Sequence, residues 1–458
     1  MRFRSRTWDE LRVGDEASSE RVASIEDFYI FANASGNLNP MHLPDFDGDC
    51  DGVPEARAPA MWIGGLISAV LGNHLPGPGT IHLNQQLHFH APVQAGDTLT
   101  VTVRVIEKRS GGKVLLDTRA TLPGEVLVAC GIAEVRAPTR AMVFEDLCAP
   151  GLILDRHRNF DALLERAAPL PPLTVAVAAP QKADALAGPL AALKAGLIRP
   201  ILIGDPALIR AAAASAGADL ADIEIIAAPS HAAAAAARAV ALVHEGRAGA
   251  VMKGDLHTDV LLREVLRRDG GLRAGRRLSH VFVMDLPGRD RLLFVTDAAI
   301  NIAPNLMTKR DIVQNAIDLA LALGVREPKV GILSAIETVS PQIPSTLDAA
   351  ALSKMADRGQ ITGGLVDGPL AMDNAVDLGA AKTKGIASSV AGRADILVAP
   401  NMEAGNMIAK ELTFLARAQA GGIVVGAKVP VILTSRADDE RARLVSCAIA
   451  VMMAAAQG

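Results

Sequence analysis

Apolar and polar positions change rhythm twice along this chain. Leu83, Gln85, Leu87 and Phe89 stand on one strict alternation, and Leu99, Val101, Val103 and Val105 on another. The runs 114–120 and 126–135 continue that pattern. A period of two predicts half-buried antiparallel strands. Upstream, residues 60–75 are apolar without alternation and end at Pro76-Gly77-Pro78-Gly79, which predicts a buried helix with a sharp stop. One apolar helix with several long strands implies a curved sheet wrapped around it. Residues 155–168 are charged and helical in period, and Pro169-Leu170-Pro171-Pro172 ends them. After Pro172 short β-branched runs alternate with Ala-rich helices such as 232–243. The runs fall at 174–178, 200–203, 250–252, 280–284, 292–295, 330–333, 396–398, 423–425 and 429–433. That βα rhythm predicts parallel sheets with helices on both faces. There are too many runs for one sheet of ordinary size, which implies an α/β fold of two lobes with a cleft. The expected divisions are an α+β domain at 1–140, a helical connector at 141–172 and a two-lobed α/β domain at 173–458.

Composition narrows the function. Half of the 458 residues are apolar and only 3% are aromatic, so the cores must be aliphatic. Scarce aromatics and a net charge of -4 argue against a nucleic-acid or anionic-membrane surface. No apolar run is long enough to span a bilayer free of charge or proline, and the basic N-terminus lacks the apolar segment of a secretory signal. Cys50, Cys130, Cys148 and Cys447 are scattered without a C-x-x-C pair, as expected of free thiols in the cytoplasm.

Candidate chemistry gathers where the C-terminal apolar runs stop. Val431-Ile432-Leu433 runs into Thr434-Ser435-Arg436-Ala437-Asp438-Asp439-Glu440. Arginine offers a fork of donors suited to phosphate, serine can donate to an oxyanion, and a carboxylate can take a proton. Lys253, Asp297, Ser334, Glu337, Asp367, Asn401, Glu403 and Asn406 follow other runs. Singly these are ordinary turn and cap residues. Together they imply a crevice at shared strand ends that takes an anionic acyl compound. Neither G-x-G-x-x-G after a strand nor G-x-x-x-x-G-K-[ST] occurs, which argues against NAD and ATP; no bound cofactor is expected.

From about residue 173 onward the chain resembles the phosphate acetyl/butyryltransferases. The stretches that carry this are Val295-Thr296-Asp297-Ala298-Ala299-Ile300-Asn301, Lys354 to Gly364, Val366-Asp367-Gly368-Pro369-Leu370, Glu403-Ala404-Gly405-Asn406 and Leu433-Thr434-Ser435-Arg436. The resemblance implies acyl transfer between phosphate and coenzyme A, with coenzyme A and acyl-CoA as substrates and a homo-oligomeric assembly. It places a catalytic pair on Ser435 and Arg436 and a phosphoryl-holding arginine on Arg263. The position of the family's thiol-activating Asp falls near Ala442, so that match fails, and Asp438, Asp439 or Glu440 could substitute. The Thr-Asp-Ala-Ala-Ile-Asn stretch leans toward the butyryl branch.

Residues 8–138 resemble a MaoC-type hotdog domain of the (R)-specific enoyl-CoA hydratases, on Ser35-Gly36-Asn37-Leu38-Asn39-Pro40-Met41-His42 and the central helix. The pairing of domains resembles bifunctional enoyl-CoA hydratase/phosphate acetyltransferases. The resemblance puts the catalytic His at His42. Asn37 stands where active relatives have Asp, and a carboxamide cannot accept water's proton at neutral pH. Pro59-Ala60-Met61 replaces His-Gly-Met, and Pro59 has no N–H to offer a thioester oxygen. The domain is therefore either an impaired hydratase or a non-catalytic module that binds acyl-CoA or builds the oligomer. The acidic loop 45–58 lacks the full EF-hand pattern and reads as a solvated surface loop. His82, His88 and His90 share a strand face without an evident Cys or carboxylate, so no metal is expected.

Overall fold

The computed structural model describes residues 2–145, 149–229, 231–433 and 439–457. The chain forms two units, Met1–Leu154 and Asp155–Gly458.

In the first unit the alternating runs become strands Ile81–Phe89, Thr98–Arg109, Lys113–Leu122 and Val126–Arg136. Glu16–Val22, which the pattern did not reveal, pairs with Thr98–Arg109 and completes a five-stranded antiparallel sheet. The apolar run forms the helix Ala60–Asn73, which turns Trp62, Ile63, Ile67, Val70 and Leu71 into a core with Val101, Val103, Val105 and Leu116. Burying each such side chain contributes about 1.5–3 kcal/mol. A second helix, Ile25–Ser35, was also missed. Its signal was present as a capping box. Ser24 accepts from the Asp27 N–H at 3.1 Å, and the Asp27 carboxylate accepts from the Ser24 N–H at 3.2 Å. Phe28 packs edge-on against Trp62 at 5.8 Å, which fixes where the helix delivers Asn37.

The second unit is built on one eleven-stranded mixed sheet. Its spatial order is Ile225–Ala227, Ile198–Gly204, Leu173–Ala178, Ala250–Lys253, Val431–Ile432, Gln419–Val425, Ser279–Asp285, Leu293–Thr296, Ile396–Val398, Lys329–Leu333 and Leu365–Leu370. The first five strands are mutually parallel, and so are the last four. Between them lie three antiparallel pairings in succession. The expected parallel character therefore holds within each half and fails at the centre. Gly421 and Gly422 had hidden the length of strand Gln419–Val425, because they interrupt its β-branched pattern.

The two faces of this sheet are covered differently. On one face a single core joins Val175, Val281, Phe294, Ile396, Ile423 and Ile432 to Ile312, Ile317, Val445 and Ile449 of the helices Leu306–Ala322 and Glu440–Gln457. On the other face there are two cores. One joins Val251, Val424, Val431 and Leu433 to the helices Ala232–His244 and Thr258–Val265. The second joins Met284, Val295, Leu333 and Leu397 to Ala375 and Ala381 of two short helices. The two lobes are thus two covered halves of one sheet, with a seam over its central strands.

The helix Arg158–Ala167, expected in a connector, belongs to the second unit, where Phe160, Leu163 and Ala167 are buried in its core. Asp285 holds it there. The buried carboxylate accepts from the Phe160 N–H at 2.8 Å and the Asn159 amide at 2.7 Å. Asp285→Ala leaves those donors unsatisfied and is expected to destabilise the second unit by about 2–4 kcal/mol, read as a lower urea midpoint at unchanged slope.

Candidate active site

The expectation that the polar strand-end groups share one crevice does not survive the sheet topology. Three antiparallel steps, an odd number, reverse the strand direction between the halves. Strand ends in the first half and strand ends in the second therefore lie on opposite rims. Lys253 ends strand Ala250–Lys253, which pairs in register with Val431 and Ile432. It stands beside Leu433, the last described residue before Thr434. Ser435, Arg436 and Asp438 lie outside the described residues. Asp439 resumes the chain, and its carboxylate accepts from the Ala442 N–H at 2.7 Å, capping the helix Glu440–Gln457. That bond makes Asp439 the cap of this helix.

The opposite rim gathers another group of the expected residues. Asp297 follows a cis peptide after Thr296 and is 2% exposed. Its carboxylate accepts from the N–H groups of Ala299 at 3.0 Å, Ile300 at 3.1 Å, Asn301 at 3.1 Å and His280 at 3.3 Å. It organises this loop from within and does not offer a free carboxylate to substrate. Asn401 caps the helix Met402–Phe414 by accepting from the Ala404 N–H at 2.9 Å, and Asn406 donates to the Ala298 carbonyl at 3.2 Å. Glu403 is exposed on the first turn of that helix. Gly405 lets the helix press on the loop, since a Cβ there would meet the Asp297 carbonyl oxygen at 2.4 Å. Asp367 is brought to neither group. It lies inside the edge strand Leu365–Leu370, where its carboxylate accepts from the Gly368 N–H. Arg263 sits exposed near the end of the helix Thr258–Val265 and pairs with Asp259 at 3.2 Å.

Sequence reasoning missed the residues at the seam itself. His280, Phe282 and Gly422 share that split face, where Phe282 packs against the second core and Gly422 pairs with Phe282. The rings of His280 and Phe282 meet edge-on at 4.4 Å. A Cβ on Gly422 would come within 3.0 Å of His280 Nε2 and 3.2 Å of the Leu433 carbonyl oxygen. Glycine here lets the strand carrying Leu433 approach the imidazole. Burial pushes the His280 pKa from its ordinary 6.5 to about 4, against the opposing pull of Asp297. The neutral ring is the folded form. As pH falls from about 6.5 toward 4 the unfolded chain takes the proton first, so stability is expected to fall through that window. Urea midpoints across it, beside His280→Phe in which this component is absent, check the sign.

In the first unit Asn37 and His42 occupy one turn. The Asn37 side-chain oxygen accepts from the Asn39 N–H at 3.2 Å, and His42 Nδ1 lies 3.1 Å from the Arg57 carbonyl oxygen. Pro59 precedes the helix Ala60–Asn73 without a side-chain cap. The acidic loop is more ordered than a solvated loop requires. Asp47 accepts from the Asp51 and Gly52 N–H groups, Glu55 is buried, and Asp47, Asp49 and Glu55 bring carboxylate oxygens within 4.8 Å of one another. Desolvation and the neighbouring carboxylates of Asp51, Glu55 and Asp47 raise the Asp49 pKa. The three histidines also differ from expectation, since Cys130 from the adjacent strand lies 3.3 Å from His90 Nε2.

Comparison with known proteins fits this architecture. Residues 228–451 match the Phosphate acetyl/butaryl transferase family, and residues 12–122 match the FAS1-like, dehydratase domain region. A phosphate acetyltransferase of Rhizobium meliloti is 57% identical over 65% of this chain and 94% of its own length. A phosphate butyryltransferase of Clostridium acetobutylicum is 47% identical over 61% of this chain and 93% of its own length. Among solved structures, a branched-chain phosphotransacylase from Enterococcus faecalis V583 aligns with a TM-score of 0.54 at 33% identity, covering 62% of this chain and 99% of that one. The high identity to these relatives over nearly their whole length defines an acyltransferase class. The chain belongs to the phosphate acetyl/butyryltransferase family and is a transferase. No helix among the described residues is long and apolar enough to cross a membrane.

Proposed function

We propose that the second unit interconverts acyl-CoA and phosphate with acyl phosphate and coenzyme A, on short acyl chains. The observation that carries this is the 57% identity to a phosphate acetyltransferase across 94% of its length. Ser435 donates to the acyl carbonyl oxygen, and Arg436 with Lys253 binds the phosphoryl group. Arg263 joins them only if its side chain leaves Asp259. A coenzyme A thiol has an ordinary pKa of roughly 8.5, so a base assists thiolate formation, and with Asp439 committed to its helix that role passes to Asp438. Positioning two anions over one seam supplies much of the rate. Substrates are small molecules, the protein works in the cytoplasm, and it assembles as a homo-oligomer. A scan of acyl-CoA chain length, reading phosphate-dependent release of coenzyme A, tests the reading and decides between acetyl and butyryl preference. Absence of release with every chain length overturns it.

A second reading concerns the first unit. Asn37 already spends its side-chain oxygen on the Asn39 N–H, and its amide accepts no proton. The hotdog domain binds acyl-CoA but hydrates enoyl-CoA poorly.

A further inference from the structure

We propose that a cavity in the second unit binds an apolar α-amino acid, with the ammonium on Asn315 and Asp318 and the carboxylate on Arg276. Binding there does not depend on the acyl-transfer reaction. Val424 pairs with Val431 and Ile423 with Ile432, so Val425, on the cavity wall, lies beyond Val431 on the rim away from Leu433.

The helices Leu306–Ala322 and Glu440–Gln457, the end of strand Gln419–Val425 and the loop at 274–276 enclose about 570 Å³. That is within the range of small-molecule sites. Leu319, Val425 and Met453 supply buried apolar lining and belong to the undivided core. Gly426 completes the wall at a φ of 90°, where a Cβ would meet the Arg277 carbonyl oxygen at 2.6 Å and Asn315 Nδ2 at 2.7 Å. Its missing side chain is what lets Asn315 reach the cavity.

Asn315 carries the specificity. It is 3% exposed, and its Nδ2 donates to the Arg277 carbonyl at 2.8 Å and to the Ser279 hydroxyl at 3.0 Å. A carbonyl can only accept, so the amide is held in one orientation and its oxygen is left over. That oxygen has no hydrogen-bond partner among the described residues. It is not sealed, in contrast to the buried orphan atoms of His280 and Asn374. Buried side chains rarely leave an acceptor unused. A reachable, unused oxygen on a residue that lines a cavity calls for a ligand with a donor.

Charge then narrows the ligand. At the mouth Arg276 and Asp318 form an ion pair whose side chains are 44% and 48% exposed. Arg276 spends only Nη1 on it, which leaves Nε and Nη2 without a partner among the described residues. Asp318 accepts from Arg276 on one oxygen and from Gln314 Nε2 at 2.9 Å on the other, and each oxygen can accept again. A cation, an anion and a neutral acceptor beside an apolar wall match a molecule with both charges and an apolar side chain. A plain carboxylic acid leaves Asn315 unanswered, and a plain amine leaves Arg276 unanswered.

The full chain is titrated by calorimetry and melted, with L-leucine and L-phenylalanine as probes. 4-Methylpentanoate is leucine without its ammonium, 3-methylbutylamine is leucine without its carboxylate, and L-glutamate lacks the apolar side chain. At least one probe is expected to bind one molecule per chain and to raise the melting temperature of the second unit. The three comparison compounds are expected to bind about ten-fold more weakly or worse. Ala456→Trp closes the cavity from an exposed position on the terminal helix and should abolish binding. Arg276→Met should weaken it about 10–100-fold with ligand-free melting unchanged. Absence of saturable binding of both probes by wild type, equal binding of 4-methylpentanoate, or affinity that survives both substitutions overturns the assignment. If Ala456→Trp does not fold, Arg276→Met decides alone: weakened affinity upholds the site and unchanged affinity removes it.

Discussion

Arg436→Ala is expected to lower phosphate-dependent release of coenzyme A about 10²–10³-fold, with the melting temperature of the second unit nearly unchanged. Arginine presents a planar fork that meets two phosphoryl oxygens at once, and lysine offers a single point charge. Arg436→Lys should therefore regain only part of the loss. The described residues on either side are firmly held. Leu433 is 9% exposed beside Gly422, and Asp439 caps the terminal helix, so truncating the side chain between them leaves these anchors intact. Initial rates against phosphate concentration check the prediction. Unchanged turnover would remove Arg436 from the site.

Asn37→Asp is expected to raise crotonyl-CoA hydration by the first unit about 10²–10⁴-fold over wild type, the usual worth of a general base. The substitution is nearly isosteric. A carboxylate oxygen can accept from the Asn39 N–H as the amide oxygen does at 3.2 Å, so the turn that carries His42 persists. What changes is the ability to take a proton from water. Pro59 sets a ceiling, because it lacks the N–H that could meet the thioester oxygen. Hydration assays of the two proteins side by side decide the matter. Robust turnover by wild type would show that the carboxamide is no impediment, and no gain in the variant would leave the domain as a binding module.

Much of this architecture was legible in the chain. Strict alternation from Leu83 to Val135 marked four strands, and the β-branched runs after Pro172 marked most of the second sheet, because burial on one or both faces writes itself into side-chain type. Short or polar edge strands such as Glu16–Val22 and Ile225–Ala227 escaped, since little of either is buried. The site was less legible. Motifs pointed to Lys253, Asp297, Asn401 and Asn406, but sequence spacing carries no strand direction, and three antiparallel pairings put them on opposite rims. Asp297 and Asp439 stand out in the chain as acids beyond apolar runs, and their carboxylates answer backbone N–H groups. His280 is not conspicuous in the chain, because a histidine at the head of an apolar run reads as core.

The unequal cover of the two sheet faces governs how the second unit can move. The undivided core ties both lobes to the same long helices, so they are not separate bodies joined by a linker. Any tightening around substrate must be absorbed as a change of twist along the middle strands. Gly421 and Gly422 lie on those strands, packed so closely by Ile449 and His280 that a side chain at either position would have to displace a neighbour.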